Sequence, residues 1–404
     1  VRLAKRLPLK QEGLGMFPVI DVRSVDSARA RGERYGRLAR DRVIHSVQTY
    51  ARLFADCGLD WTEAGRRAMQ YRDAIDATDP QLLEEIEGIA QGAKLVFSDV
   101  LALNCRTEIL PATFLARVSD QSAEARAHNQ ALGLLDWGEC TAIAVSPDAS
   151  DDGHTWLAQN WDWIGRQRDA LVLLHTRDAM GRAIATLTEA GMLAKIGLND
   201  QGMAVGLNIL RSITDGSRPG VPVHVLLRHA LSFDSLKRFR IRLAELAAGP
   251  GFGAASNIPA ADAHGDIGSF EISPSAWSEY ASGEAVFVHT NHFLCAPLLE
   301  QQAVMASSLS TEARLRCAQA YASKRPISAA AIEALLRDES DGLLSVCRKP
   351  DPALPEQARV ESVAGVRINC TERRWWIAPN VPSQVGFDEV ATGFAATRYA
   401  ERAS

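Results

Sequence analysis

The chain has 404 residues, 47% of them hydrophobic and 23% charged, with a formal net charge of −5. That length and balance describe a globular protein able to bury a core, and exclude collagen-like, disordered and disulfide-scaffold classes. Basic residues, mostly Arg, are interspersed with acids, so nothing argues for a nucleic-acid partner or an anionic membrane surface.

No apolar stretch approaches the ~20 residues that span a bilayer. The opening VRLAKRLPLKQEGLG lacks the apolar run of a signal peptide. Cysteines stand at 57, 105, 140, 295, 317, 347 and 370 without a CxxC pair. An odd, scattered set fits neither a disulfide framework nor a zinc site, so free thiols and a cytoplasmic location are expected.

In chain order, residues 27–56 carry apolar residues at three- and four-residue spacings and predict helix, as does the segment from Trp61 to Ala77. Asp79-Pro80 opens a third helix striped by Leu82, Leu83, Ile86 and Ile89, and Ser98 is expected to cap a short fourth. Residues 116–139 are polar and aperiodic and read as an exposed, cleavable connector. From 140 the pattern changes to short apolar and β-branched runs: CTAIAVSP, TWLAQNWDW, ALVLLHTRD, AIATLTEAG, AKIGLND and MAVGLNIL. Pro222 to Ala248 returns to helix. Strands resume near SNIPAADAHGDIGSFEIS and EAVFVHTNHF, helices at 310–323 and 328–337, and VESVAGVRIN and RRWWIAPN are the last two strands. The sum is α+β: sheets covered by helices, with a helical segment over residues 1–139 packed on a body over 140–404.

Several motifs reduce to structure. GPGFG at 249–253 has the glycines of a phosphate loop without its spacing and reads as a turn. His289 and His292 would face opposite sides of a strand, against joint metal binding. Asn369-Cys370-Thr371 is read as a chance sequon, and Trp375-Trp376 as packing on two faces of a strand.

Glu139-Cys140 is different, because a Cys at the junction of a polar connector and a strand is where a self-cleaving precursor keeps its nucleophile. The thiol attacks the preceding carbonyl, the amide becomes a thioester, and water releases a chain that starts at Cys140. That residue then carries both a nucleophilic sulfur and an α-amine with an unperturbed pKa near ~8. By itself Cys140 reads first as a buried cysteine and only second as a nucleophile.

Six motifs in order resolve the choice: Asn104-Cys105-Arg106-Thr107-Glu108, Cys140-Thr141, Gln159-Asn160-Trp161-Asp162, Gly197-Leu198-Asn199, Thr290-Asn291-His292 and Ser345-Val346-Cys347-Arg348. Together, from about Gly32 to Pro379, they resemble the acyl-coenzyme A:6-aminopenicillanic acid acyltransferase family, also classed as peptidase family C45. Its relatives include amide hydrolases that remove β-alanyl groups from amines. The resemblance implies a four-layer αββα N-terminal nucleophile hydrolase sandwich. It also implies Cys140 as nucleophile, Asp162 orienting its α-amine, Asn291 as oxyanion donor and Arg348 as a cation favouring the thiolate.

Trp161, Trp163, Thr188, Glu189 and Phe293 flank these motifs and are expected in the substrate pocket. Each catalytic position also has a structural reading: Asp162 capping a turn, Asn291 satisfying a strand end, Arg348 pairing with Asp351. Arg106 and Glu108 are read first as ion-paired structural residues. One departure stands out, since the family usually has Gly where this chain has Glu139, which restricts the backbone and sets a carboxylate beside the thiol. The implied activity is a self-processing cysteine amidohydrolase on a linear, small-molecule amide, without metal or cofactor. A transferase drawing on acyl-coenzyme A and a silent, uncut scaffold protein remain as alternatives, and in the cleaved forms the two fragments would stay together.

Overall fold

A computed structural model describes residues 15–110, 140–303, 308–354 and 359–394. The connector at 116–139, including Glu139, lies outside the described residues, and the remarks below concern the described ones.

From Ala28 to Ile109 the chain is mainly helical, as the periodicity predicts: α1 (Ala28–Leu38), α2 (Arg40–Asp56), α3 (Trp61–Ala68), α4 (Arg72–Thr78), α5 (Pro80–Ala93), α6 (Phe97–Asn104) and α7 (Arg106–Ile109). Two local expectations are corrected. The helix expected from Trp61 to Ala77 is interrupted by a 3-10 turn at Met69–Tyr71. Helix α6 starts at Phe97 with Val96 as its cap residue, so Ser98 lies inside the helix. Asp79 caps α5 as expected, its side chain accepting from Gln81 N, with Pro80 at the first helical position.

Two sheets follow. One has the order β1-β4-β5-β6-β7-β9-β10-β11, with β8 beside β9: β1 (Val19–Asp21), β4 (Leu171–Arg177), β5 (Ala183–Glu189), β6 (Ile196–Asn199), β7 (Ala204–Val205), β8 (Asn208–Ile209), β9 (Ser256–Ala261), β10 (Ile267–Ile272) and β11 (Trp277–Tyr280). The other has the order β12-β2-β3-β13-β14-β15: β2 (Cys140–Val145), β3 (Trp156–Ile164), β12 (Val286–His289), β13 (Val360–Asn369), β14 (Arg374–Ala378) and β15 (Asp388–Val390). Only β1 and β4 pair in parallel among the described strands.

The MAVGLNIL run makes two short strands rather than one. At Gly206 an added Cβ would lie 2.3 Å from Gln159 Oε1, and the Gln159 amide bonds both N and O of Leu207. That glutamine joins the two sheets where a ladder would otherwise continue. The strands β1, β11 and β15 are too short or too polar for the alternation pattern to show them.

The sheets pack face to face, β2 against β8, β9 and β10, and β3 against β9. Helices α10 (Ser308–Ala322) and α11 (Ala329–Leu336) cover the outer face of the six-stranded sheet. The larger sheet is covered by α8 (Val223–Ala230) and α9 (Leu236–Ala248), whose Phe239 meets Phe270 of β10 edge to face at 5.6 Å. The result is the expected αββα layering, with side chains from α1 to α7 in the same hydrophobic core as both sheets.

Helices α1 and α5 touch through glycines. A Cβ at Gly32, Gly36, Gly88 or Gly92 would lie 2.0–2.1 Å from a carbonyl oxygen of the facing helix. That approach brings Tyr35 to the 190–195 loop, where its hydroxyl accepts from Gly191 N at 3.0 Å. Asn104 at the end of α6 clamps the same loop, donating to Gly191 O at 2.9 Å and accepting from Leu193 N at 3.0 Å.

Candidate active site

Cys140 is the first residue of β2, 1% exposed, and its Cα partner on β3 is Trp161. Side chains of paired residues project to the same face, so Cys140 and Trp161 both face the space between the sheets. Thr141, paired with Asn160, faces the helical layer, and by strand alternation Asp162 follows Asn160 to that side.

The backbone of Cys140 is gripped at both ends by side chains remote in sequence. Its N donates to Asn291 Oδ1 at 2.6 Å, and its O accepts from Arg314 Nη1 at 2.7 Å. Arg314 also donates to Thr141 Oγ1 at 3.1 Å and to Asn291 Oδ1 at 3.1 Å. Asn291 Nδ2 in turn donates to Ile209 O at 2.9 Å. Two donors at the amide oxygen and a carbonyl at the nitrogen fix the orientation of Asn291.

Burial pushes the Cys140 thiol above its ordinary range. Lys195 and Arg314 pull it back, the Asp162 carboxylate pushes it further up, and a hydrogen bond from Asp162 N lowers it. The Asp162 carboxylate accepts from Ser362 Oγ at 2.5 Å, and Ser362 Oγ accepts from Arg348 N at 2.9 Å. Through Ser362, β13 ties together the motif residues Asp162 and Arg348.

Beside the thiol lies a buried ionic cluster. Lys195 Nζ is 3.7 Å from the Trp161 ring centroid and 3.9 Å from Glu189 Oε2. Arg106 Nη2 is 3.4 Å from the same carboxylate, and the Arg106 guanidinium stacks 4.6 Å from the Trp163 ring centroid. Tyr50 donates to Glu189 Oε1 and accepts from Trp163 Nε1 at 3.0 Å. Burial lowers the Lys195 ammonium to about 7, against the pull of Glu189.

The expected pocket residues therefore divide. Trp161, Trp163 and Glu189 converge beside Cys140, and Arg106 is ion-paired there as expected. Thr188 is buried in β5 and by alternation faces away from Glu189. Phe293 is 1% exposed and fills a separate small core with Leu210, Ala255, Cys295 and Leu298. His289 is a buried partner of Glu271 at 2.8 Å, and no cluster of metal-ligating side chains occurs among the described residues.

Sequence reading missed Lys195 and Arg314. A lone Lys inside the apolar run GMLAKIGL was a signal available for the first. Arg314 in STEARLRC offers none, since Arg316 two residues on looks the same.

The family described as acyl-coenzyme A:6-aminopenicillanic acid acyl-transferase matches residues 149–383, a span that contains Asp162, Asn291 and Arg348 and begins just after Cys140. The acyl-coenzyme A:6-aminopenicillanic-acid-acyltransferase 40 kDa form of Emericella nidulans is 30% identical over 275 residues, 67% of this chain and 67% of that one. Among solved structures, penicillin V acylase from Agrobacterium tumefaciens overlays with a TM-score of 0.38 at 14% identity, covering 59% of this chain and 83% of that chain. A mutant of conjugated bile acid hydrolase from Clostridium perfringens gives 0.37 at 10% identity, covering 62% and 96%. Both structural likenesses are distant. On the family and sequence matches, the chain belongs to the acyl-coenzyme A:6-aminopenicillanic acid acyltransferase family, enzymes that act on amide bonds. No helix among the described residues is long and apolar enough to cross a membrane.

Proposed function

We propose that the chain is a self-processing cysteine amidohydrolase that cleaves a small, linear amide through a thioester on Cys140. The observation that carries this reading is the grip on the backbone of Cys140: its N held by Asn291 and its O by Arg314. A buried structural cysteine needs no such set.

Cleavage of the Glu139–Cys140 bond would leave residues 1–139 and 140–404 joined through the shared core. The new α-amine then accepts the thiol proton, the thiolate attacks the substrate carbonyl, and the amine of the substrate leaves with that proton. Water resolves the thioester. Asp162 keeps the α-amine oriented and Arg348 adds positive charge. Asn291 donates to the oxyanion, and a preorganised donor of this kind is worth about 3–4 kcal/mol of barrier.

The test is the intact denatured mass of fresh protein beside the Cys140→Ala variant, followed by an amide-hydrolysis screen. Two wild-type fragments, the larger starting at Cys140, a single uncut mass for the variant, and loss of turnover in it are expected. Cys140→Ser should retain part of one activity or both. Full amidase activity in the alanine variant would falsify the assignment.

Acyl transfer from coenzyme A is the second reading, supported by the name of the Emericella nidulans relative. Faster consumption of an acyl-coenzyme A thioester in the presence of an amine than in water alone would favour it over hydrolysis.

A further inference from the structure

We infer that in the uncut chain Lys195 takes up the proton that the Cys140 thiol must lose before it can attack its own preceding carbonyl. The inference rests on the self-processing reading above. It answers a difficulty in that reading, because the α-amine that serves as base after cleavage does not exist before it. In the uncut chain the nitrogen of Cys140 is a peptide N–H, its lone pair delocalised into the carbonyl, and here it donates to Asn291 Oδ1 at 2.6 Å. It cannot accept a proton as well.

Lys195 stands over the ring of Trp161, the residue that pairs with Cys140 across β2 and β3. It follows the loop that Tyr35 and Asn104 clamp, and its side chain is 2% exposed. Its Nζ lies 3.7 Å from the ring centroid of Trp161 and 5.5 Å from that of Trp163. Trp161 is the register partner of Cys140, with the two side chains on one face. Transfer requires only hydrogen-bond contact or one bridging water.

The titratable groups around this amine come from four elements, Glu189 of β5, Arg106 of α7, Tyr50 of α2 and His224 of α8, with Cys140 and Asp162 on the paired strands β2 and β3. Glu189 is engaged by Arg106, Tyr50 and Lys195 together. The Asp162 carboxylate is engaged by Ser362. Burial holds the His224 imidazole well below its ordinary range, so it is a poor proton acceptor. Burial likewise lowers the Lys195 ammonium to about 7, with Glu189 opposing and Arg106 assisting, so the neutral amine is populated near neutrality. Since Glu189 and Arg106 offset one another, moving the proton creates a thiolate–ammonium pair without changing the charge of the site.

The sequence of bonds then closes. The Sγ proton passes to Lys195 Nζ, and Sγ adds to the carbonyl carbon of residue 139. The C–N bond breaks as Cys140 N takes the proton back from Lys195. Water hydrolyses the thioester, giving the free thiol and the carboxylate of residue 139, with the remaining proton taken up by the new α-amine of Cys140.

The test follows self-cleavage by intact mass in chains freshly made by cell-free translation and shifted into buffers between about pH 6 and 9. In wild type the rate should rise through one apparent pKa near neutrality and then level. In Lys195→Met and Lys195→Arg it should fall by about 100-fold or more and rise with pH across the whole range, with near-ultraviolet circular dichroism confirming a folded chain. Cleavage of either folded variant within about threefold of wild type with an unchanged pH profile overturns the role of Lys195 and leaves self-processing standing. Should neither variant fold, the wild-type profile decides: a rise without levelling to pH 9 overturns the inference. A wild-type chain that never cleaves overturns the self-processing reading and this inference with it.

Discussion

At the scale of single residues, Arg314 shows how much of the site depends on one side chain. It is fully buried, and its guanidinium reaches Cys140 O, Thr141 Oγ1, Asn291 Oδ1 and Ser310 Oγ. A planar fork can serve several acceptors at once, which the point charge of a lysine cannot. Arg314→Met should leave the Cys140 carbonyl buried without its side-chain donor and loosen Asn291, at a cost of about 2 kcal/mol or more. We expect a lower urea midpoint and loss of both self-cleavage and amide turnover, with Arg314→Lys recovering little. Unchanged cleavage in a folded Arg314→Met variant would remove Arg314 from the site. Lys195 carries the converse lesson, since an apolar run with one charge in its middle was the clue that it is buried for a reason.

Among elements, the contact between α1 and α5 has the least tolerance. Gly32 and Gly36 on one helix face Gly88 and Gly92 on the other, and each meets backbone atoms rather than a side chain that could turn aside. Added volume in such a contact costs about 1–3 kcal/mol because whole helices must separate. Gly36→Ala and Gly88→Ala should each lower the thermal midpoint. They should also slow catalysis, because α1 carries the Tyr35 hydroxyl that holds Gly191 and so the loop leading to Lys195. A midpoint equal to wild type in both variants would show that the helices can part without cost.

For the whole molecule, buried ionisable groups set the response to pH. Burial pushes the Glu108 carboxyl up to about 7 from an ordinary 4.5, although Val223 N and Arg106 pull it down. The native chain therefore holds this proton where the unfolded chain has lost it, and stability falls as pH rises from about 4.5 to 7. Lys195 works in the opposite window. Its ammonium is lowered from 10.5 to about 7, so the unfolded chain binds more protons between those values and stability rises with pH there. Together these two groups make the fold least stable near neutrality, the cost of charged groups held inside the site. Glu108→Gln keeps an acceptor for Val223 N–H and should flatten the decline between about pH 4.5 and 7 in a series of thermal melts. An unaltered slope there would mean that Glu108 ionises as freely in the fold as outside it.

Local pattern alone determined the element types, since helical spacing and strand alternation are short-range consequences of burying one face. TWLAQNWDW already encoded a strand with two different faces: Gln159, Trp161 and Trp163 toward the other sheet, Asn160 and Asp162 toward the helices. The order of the motifs likewise marked Cys140, Asp162, Asn291 and Arg348. What the tertiary structure decided was which groups meet. Asn291 reaches Cys140 across 151 residues of chain and Arg314 across 174. Nothing within a few residues of an arginine tells whether its guanidinium will end in solvent or on a buried carbonyl. The strand β1 escaped for a related reason: three residues carry no period, and only the edge of β4 makes them a strand. Contacts made over long sequence separations depend on how layers pack, and that information is spread over both sheets and the helices that cover them.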